Sequence, residues 1–148
     1  TSDYREFRKG TIGSDFCHED IENEIMQLNS SGAEIVTKMK DVDKAKAKSV
    51  AKYYLDMQTV AQKSYNILNE RGYALFVIGN TEYKGVKIDN AKHLSQSLLE
   101  AGFSELQITK RKISNKILTP YRDANGKFSS DSSGRKIYSE EFIVIGKK

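Results

Sequence analysis

One cysteine, Cys17, is all the thiol chemistry in these 148 residues. That excludes an intramolecular disulfide framework and suits a cytoplasmic setting. No apolar run is long enough to span a bilayer, and the start, Thr1-Ser2-Asp3-Tyr4, does not have the build of a signal peptide. Histidine is almost as scarce: His18 adjoins Cys17 and His93 stands alone, so no metal-ligand spacing exists. A Cys–His nucleophile pair fares no better, because neighbours in sequence rarely face each other. Neither GxGxxG nor GxxxxGK[ST] occurs, and Gly10 and Gly13 are too isolated to form a phosphate cradle. These absences leave no self-contained catalytic constellation.

What is present is a modest core and an uneven charge. The chain is 38% hydrophobic and 30% charged, with a net charge of +4. This suits one globular domain or a large piece of one, and the missing initiator Met is expected of a processed product or a fragment. Between Lys110 and Lys136 lie eight bases, Lys110, Arg111, Lys112, Lys116, Arg122, Lys127, Arg135 and Lys136, against Asp123 and Asp131. That segment alone carries +6 and the remainder −2. Such a concentration is the footprint of a polyanion partner; a solvated basic loop is the plainer alternative.

The stretch Gly72 to Asn80, GYALFVIGN, organises the rest. Its unbroken apolar run predicts a strand buried on both faces, as in the middle of an α/β sheet. Its Gly79-Asn80-Thr81 tip falls where open α/β sheets place ligands. Residues 1–17 show no period and read as an irregular lead-in. Ile21, Ile25 and Leu28 mark a helix over Glu19–Leu28, and a second short helix is expected over Ala33–Met39. Asp41 to Arg71 carries the strongest helical pattern, with Asp41 or Asp43 as N-cap and Gly72 just past its end. Its Lys44–Lys48 turns read as solvent-exposed, and its second half as packed on the sheet. Tyr83–Lys87 reads as a loop. A helix from Asp89 or Asn90 to Gly102 follows, then a strand with Leu106 and Ile108, a basic excursion over Ser114–Lys136, and a last strand, EFIVIG. The two strands joined by a helix should run parallel, and the last two should pair antiparallel. The division expected is 1–40 for the lead-in and short helices, and 41–148 for the α/β portion.

Several segments, taken in order, resemble the late half of S-adenosylmethionine-dependent DNA methyltransferases. Ile67-Leu68-Asn69-Glu70-Arg71-Gly72-Tyr73 followed by LFVIGN is similar to the family's "vLkpGG" helix end and fifth strand, with Asn69-Glu70-Arg71-Gly72 where Lys-Pro-Gly-Gly is commoner. Ala101-Gly102-Phe103 matches its "G(F/Y)" entry to the sixth strand. Lys112–Lys116, Tyr121–Phe128 and Glu140–Lys148 resemble the "R-I-x-x-K…RD-x-x-G-R-F…E-x-I-(L/V)-V" tail of enzymes that methylate the exocyclic amine of adenine or cytosine. Tyr4–Ser14 looks like the segment after the catalytic motif. The likeness covers most of 1–14 and 60–148. The family's (D/N/S)PP(Y/F) motif cannot be here, since Pro120 is the only proline, and its F-x-G-x-G cofactor loop is missing too.

The resemblance implies an α/β fold: the C-terminal part of a Rossmann-like methyltransferase sheet, strands five to seven with the last antiparallel, with flanking helices and a helical N-terminal segment. It implies a site-specific, restriction-modification-type enzyme whose cofactor is S-adenosylmethionine and whose partner is double-stranded DNA. No catalytic residue is expected in this chain, which should be inactive alone and bind cofactor poorly. Asn80 and Thr81 would form one wall of the pocket for a flipped base, or simply a turn that exploits the tolerance of Asn for unusual backbone angles. Lys116, Arg122 and Lys127 would reach phosphates or a base edge. Tyr121 and Phe128 are expected to anchor that loop, and Arg122-Asp123 reads equally as a local ion pair. Without its neighbouring strands the apolar strand would keep an open edge, so self-association or a retained partner chain is expected. Two rivals remain: a non-enzymatic nucleic-acid-binding α/β module, and a methyltransferase acting on RNA or protein amines.

Overall fold

Asp43 shows how local chemistry cuts this chain into helices. In the computed structural model, which describes residues 2–13, 20–113, 121–123, 128–131, 135–136 and 140–148, its backbone N–H closes α3 (Ser30–Val42) on Met39. Its carboxylate then accepts from the Lys46 N–H at 3.0 Å and opens α4 (Lys44–Ile67). Asn29 caps α3 through the Gly32 N–H at 2.9 Å, and Asp20 caps α2 (Ile21–Gln27). Each side chain satisfies a donor that a helix start leaves orphaned.

The lead-in is not irregular throughout. Residues Ser2–Lys9 form α1: no Gly or Pro interrupts them before Gly10, and Asp3 in the first turn favours the positive end of the helix dipole. The Lys-rich start of α4 is not wholly solvated either. Ala47 and Ala51 are fully buried beneath α2 and α3, in a cluster with Ile35, Val36, Met39 and Tyr54. Helix α4 ends earlier than its apolar pattern predicts, and Arg71 rather than Gly72 takes the left-handed conformation, at φ 64°. Gly72 is there for room, since a Cβ would sit 2.8 Å from the Asn69 carbonyl oxygen.

After β1 (Tyr73–Ile78), the expected loop is a hairpin, β2 (Thr81–Tyr83) with β3 (Val86–Ile88). Helix α5 (Asn90–Ala101), capped by Asp89 and closed by left-handed Gly102, leads to β4 (Glu105–Lys112). Short strands β5 (Tyr121–Arg122), β6 (Phe128–Ser129) and β7 (Arg135–Lys136) pair in the order β6-β5-β7 within the basic excursion, and β8 (Glu140–Lys147) ends the chain. The main sheet has the order β1-β8-β4. Strand β8 is antiparallel to both neighbours, placing Phe76, Val144 and Ile108 in one row. Strands β1 and β4 therefore run in the same direction, as expected, but with β8 between them. The fold is mixed α/β, with a three-stranded antiparallel sheet.

Burial on both faces of β1 is not observed. Ala74 faces the helices at 8% exposure, whereas Tyr73, Leu75 and Val77 are 62%, 61% and 55% exposed. Helices α4 and α5 cover only one side, where Met57, Ala61, Leu94, Leu98 and Phe103 pack against Ala74 and Val144. The other side of β1 is bare, and the strand lies at the edge of the sheet.

Candidate functional site

The tip of β1 is fastened to the start of α5 by a polar knot. Asn80 donates to Asp89 Oδ1 at 2.7 Å and accepts from the Ala91 N–H at 3.0 Å, while Asn90 donates to the Gly79 carbonyl at 2.8 Å. Asp89 also accepts from the Lys92 N–H at 3.2 Å and pairs with Lys87 at 3.0 Å. Burial works against ionisation of Asp89, but hydrogen bonds from Lys87, the Lys92 amide and Asn80 outweigh it and hold its pKa below the ordinary carboxylate value. Both ends of the Asn80 amide are thus used to orient α5.

Beside this knot lies a cleft of about 300 Å³, walled by Thr81, Ile88 and Asn90 on one side and by Lys46, Ser49 and Tyr53 of α4 on the other, with Ile12 and Gly13 at its margin. The 12–13 turn is seated by the Gly13 N–H, which donates to Asp56 Oδ2 at 3.1 Å. Burial raises the Tyr53 phenol pKa. Asn90 Oδ1 is buried without a hydrogen-bond partner, so one acceptor in the cleft wall is unsatisfied, which is costly unless something donates to it. Of the two residues singled out at the tip, Thr81 lines the cleft and Asn80 braces it from behind. A second cleft, about 470 Å³, lies across the hairpin among Glu34, Lys38, Val86, Lys87, Asp89 and Lys92. Its charges are largely paired, Glu34 with Lys38 at 2.7 Å and with Lys92 at 3.7 Å.

The basic segment is partly neutralised by its own sheet. Lys110 pairs with Glu140 at 2.6 Å, and Arg111 pairs with Glu141, across the β4–β8 ladder. Lys112 stands opposite Glu140 in the same register. Arg122 is half-buried on β5 and reaches the Tyr121 carbonyl at 3.4 Å. Arg135 and Lys136 form β7, opposite Arg122 and Tyr121. Lys116 and Lys127 fall outside the described residues.

Sequence reasoning misses a different basic group. Lys46, in the first turn of α4, lines the cleft, and Lys84 tips the hairpin; both lie over the Tyr83 ring. Among the described residues no carboxylate lies within ion-pair distance of Lys46, and Lys84 has Asp43 at 3.6 Å. No local pattern marks this pair, since Lys46 and Lys84 come together only through the Tyr83 hairpin. Among the described residues no three His, Cys, Asp or Glu side chains converge on a metal site, and no helix is long and apolar enough to cross a membrane. Comparison with protein-family models, curated proteins and solved structures finds no match to this chain.

Proposed function

We propose that this chain is a portion of a site-specific DNA methyltransferase, which transfers a methyl group from S-adenosylmethionine to an exocyclic amine of adenine or cytosine. Its part is to complete a Rossmann-like sheet, wall one side of the base pocket and contact DNA. The observation that carries the reading is the sheet itself. The final strand, β8, is antiparallel to both β1 and β4, as the resemblance implies for the seventh strand, while α5 joins β1 to β4 as a helix joins the fifth and sixth. Among the described residues β1 lies at the edge of the sheet, where further strands would continue it, and its exposed Leu75 and Val77 leave one face for the rest of the enzyme to cover.

The cleft at the tip of β1 suits the pocket wall. Thr81 and the unsatisfied Asn90 Oδ1 offer acceptors of the kind an exocyclic amine donates to. The cofactor fits less well. The walls of the two clefts carry lysines and paired carboxylates with no glycine-rich backbone cradle, so S-adenosylmethionine and the groups that act on the amine are assigned to another part of the enzyme or a partner chain. The methyl-transfer step itself is assigned to no residue between Thr1 and Lys148.

Three measurements test the reading. Sequencing the reading frame upstream of Thr1 should show a (D/N/S)PP(Y/F) motif and an F-x-G-x-G loop, in the same frame or in a co-transcribed one; their absence from both overturns the enzyme assignment. Incubating stoichiometric chain with labelled S-adenosylmethionine and duplex DNA should transfer no label, and a single turnover would overturn the placing of the chemistry elsewhere. In sedimentation at tens of micromolar the isolated chain should self-associate or carry a partner across the β1 edge; a monodisperse monomer would count against an unfinished sheet.

A further inference from the structure

Resting on that reading, we propose that the DNA backbone is held chiefly at the β1 cleft, through Lys46 on its wall and the hairpin-tip Lys84 beside it, rather than by the basic strand β4. The first ground is pairing. Lys110 and Arg111 already face Glu140 and Glu141, so phosphates would have to displace those partners. For Lys46 and Lys84 the only carboxylate in range among the described residues is Asp43, 3.6 Å from Lys84, and it is occupied by the Lys46 N–H and by the Tyr83 hydroxyl at 2.9 Å.

The second ground is arrangement. Lys46 and Lys84 lie 5.7 and 5.3 Å from the centre of the Tyr83 ring. The Tyr83 hydroxyl ties that ring to Asp43, so the hairpin and the start of α4 present their ammonium groups as one unit. Glu82 points to the opposite side of the hairpin, since neighbours on a strand alternate. Lys46 also lines the cleft with Thr81, which puts the cationic pair at the mouth where a flipped nucleotide would leave its flanking phosphates.

The third ground is backbone conformation. The hairpin turn is Lys84-Gly85, with φ at 45° and 82°. A two-residue turn with both central residues at positive φ favours Asn or Asp before the Gly, yet a lysine stands there. A residue kept in a disfavoured conformation is a reasonable marker of function, and here the side chain at stake is cationic and 58% exposed.

The test is duplex binding by fluorescence anisotropy, using a labelled 20-base-pair DNA between 50 and 200 mM KCl. Each phosphate neutralised contributes about 0.9 to the slope of log affinity against log salt. Replacing Lys46 and Lys84 together by Gln should weaken binding by at least tenfold at 100 mM salt and flatten that slope by about 2. Lys110→Gln with Arg111→Gln should change affinity less than about twofold. Lys84→Asn guards against misfolding: Asn suits the turn better, so the melting temperature should hold or rise while the slope falls by about 1. Wild-type affinity in Lys84→Asn, or a larger loss from the β4 pair than from Lys46 and Lys84, overturns the proposal and leaves the methyltransferase reading standing. No salt-dependent duplex binding by the unaltered chain overturns this proposal together with the DNA-binding role assigned to the chain above.

Discussion

The two hydrophobic clusters differ in how they are closed. The helical cluster, around Val36, Met39, Ala51 and Tyr54, is enclosed by α2, α3, α4 and the hairpin strand β3, and its central side chains are fully buried. The sheet cluster, around Leu94, Leu98 and Val144, is sealed only on the helix side, while the same sheet exposes Tyr73, Leu75 and Val77 behind it. The first region is closed by its own helices; the second has one open side. An α/β sheet of the doubly covered kind buries its strands from both faces, so on the proposed reading the bare face of β1 is where the rest of the enzyme packs.

The largest effect is expected in the sheet cluster. Leu98→Ala should cost about 2–5 kcal/mol, because the side chain is fully buried and a cavity remains. Leu75→Ala, on the bare face of the same sheet, should cost less than about 0.5 kcal/mol. Equal losses by chemical denaturation would mean that both faces are already covered.

The helical cluster has a built-in pH dependence. His93 is stacked on Tyr54 with ring centres 3.9 Å apart, its Nε2 lies 3.4 Å from Gln58 Oε1, and burial pushes its pKa down to about 4. Between pH 6.5 and 4 the unfolded chain takes up a proton that the folded one refuses. Stability should therefore fall across that window by roughly 3 kcal/mol and be independent of this group above it. His93→Gln should flatten the slope between pH 4 and 6.5; an unchanged slope would assign it to other groups.

Gly32→Ala sets two effects of opposite sign against each other in the same cluster. A helical Gly→Ala exchange ordinarily gains up to about 1 kcal/mol. Here the new Cβ would meet His93 Cδ2 at 2.9 Å and Tyr54 at 3.3 Å, so a net loss of about 1–3 kcal/mol is expected from overpacking. A stabilised variant would show that the His93–Tyr54 stack can move aside. The smallest effect should come from the exposed Lys110–Glu140 pair, whose coupling in a double-mutant cycle should be about 0.5 kcal/mol or less.

What is legible in the sequence follows short-range rules. Helix α4 and the run of α5 can be read from apolar spacing, and Asp43, Asp89 and Gly102 hold the terminal positions their chemistry favours. Strands β1 and β8 are visible as apolar runs, and the antiparallel pairing of β4 with β8 follows from their irregular connection. The hairpin escapes notice because Lys84 occupies a turn position where Asn is the usual signal. The charge of residues 110–136 overstates the free cations there, because its partners, Glu140 and Glu141, lie just outside that window and meet it only across the ladder. At the site, Thr81 and Asn80 can be placed at the strand tip, but which of them faces the cleft depends on Asp89 and the Ala91 N–H, about ten residues on.

The sequence by itself determined helices α2 to α5 and strands β1, β4 and β8, because caps and periodicity act within a turn or two of chain; α1 and the β2–β3 hairpin were not legible in it. Only the tertiary structure decided that β8 inserts between β1 and β4, that one face of β1 is bare, that Lys110 and Arg111 of β4 are paired, and that Lys46 and Lys84 meet at the Tyr83 ring. Those outcomes depend on contacts between residues tens of positions apart, and no local pattern encodes which distant segment arrives.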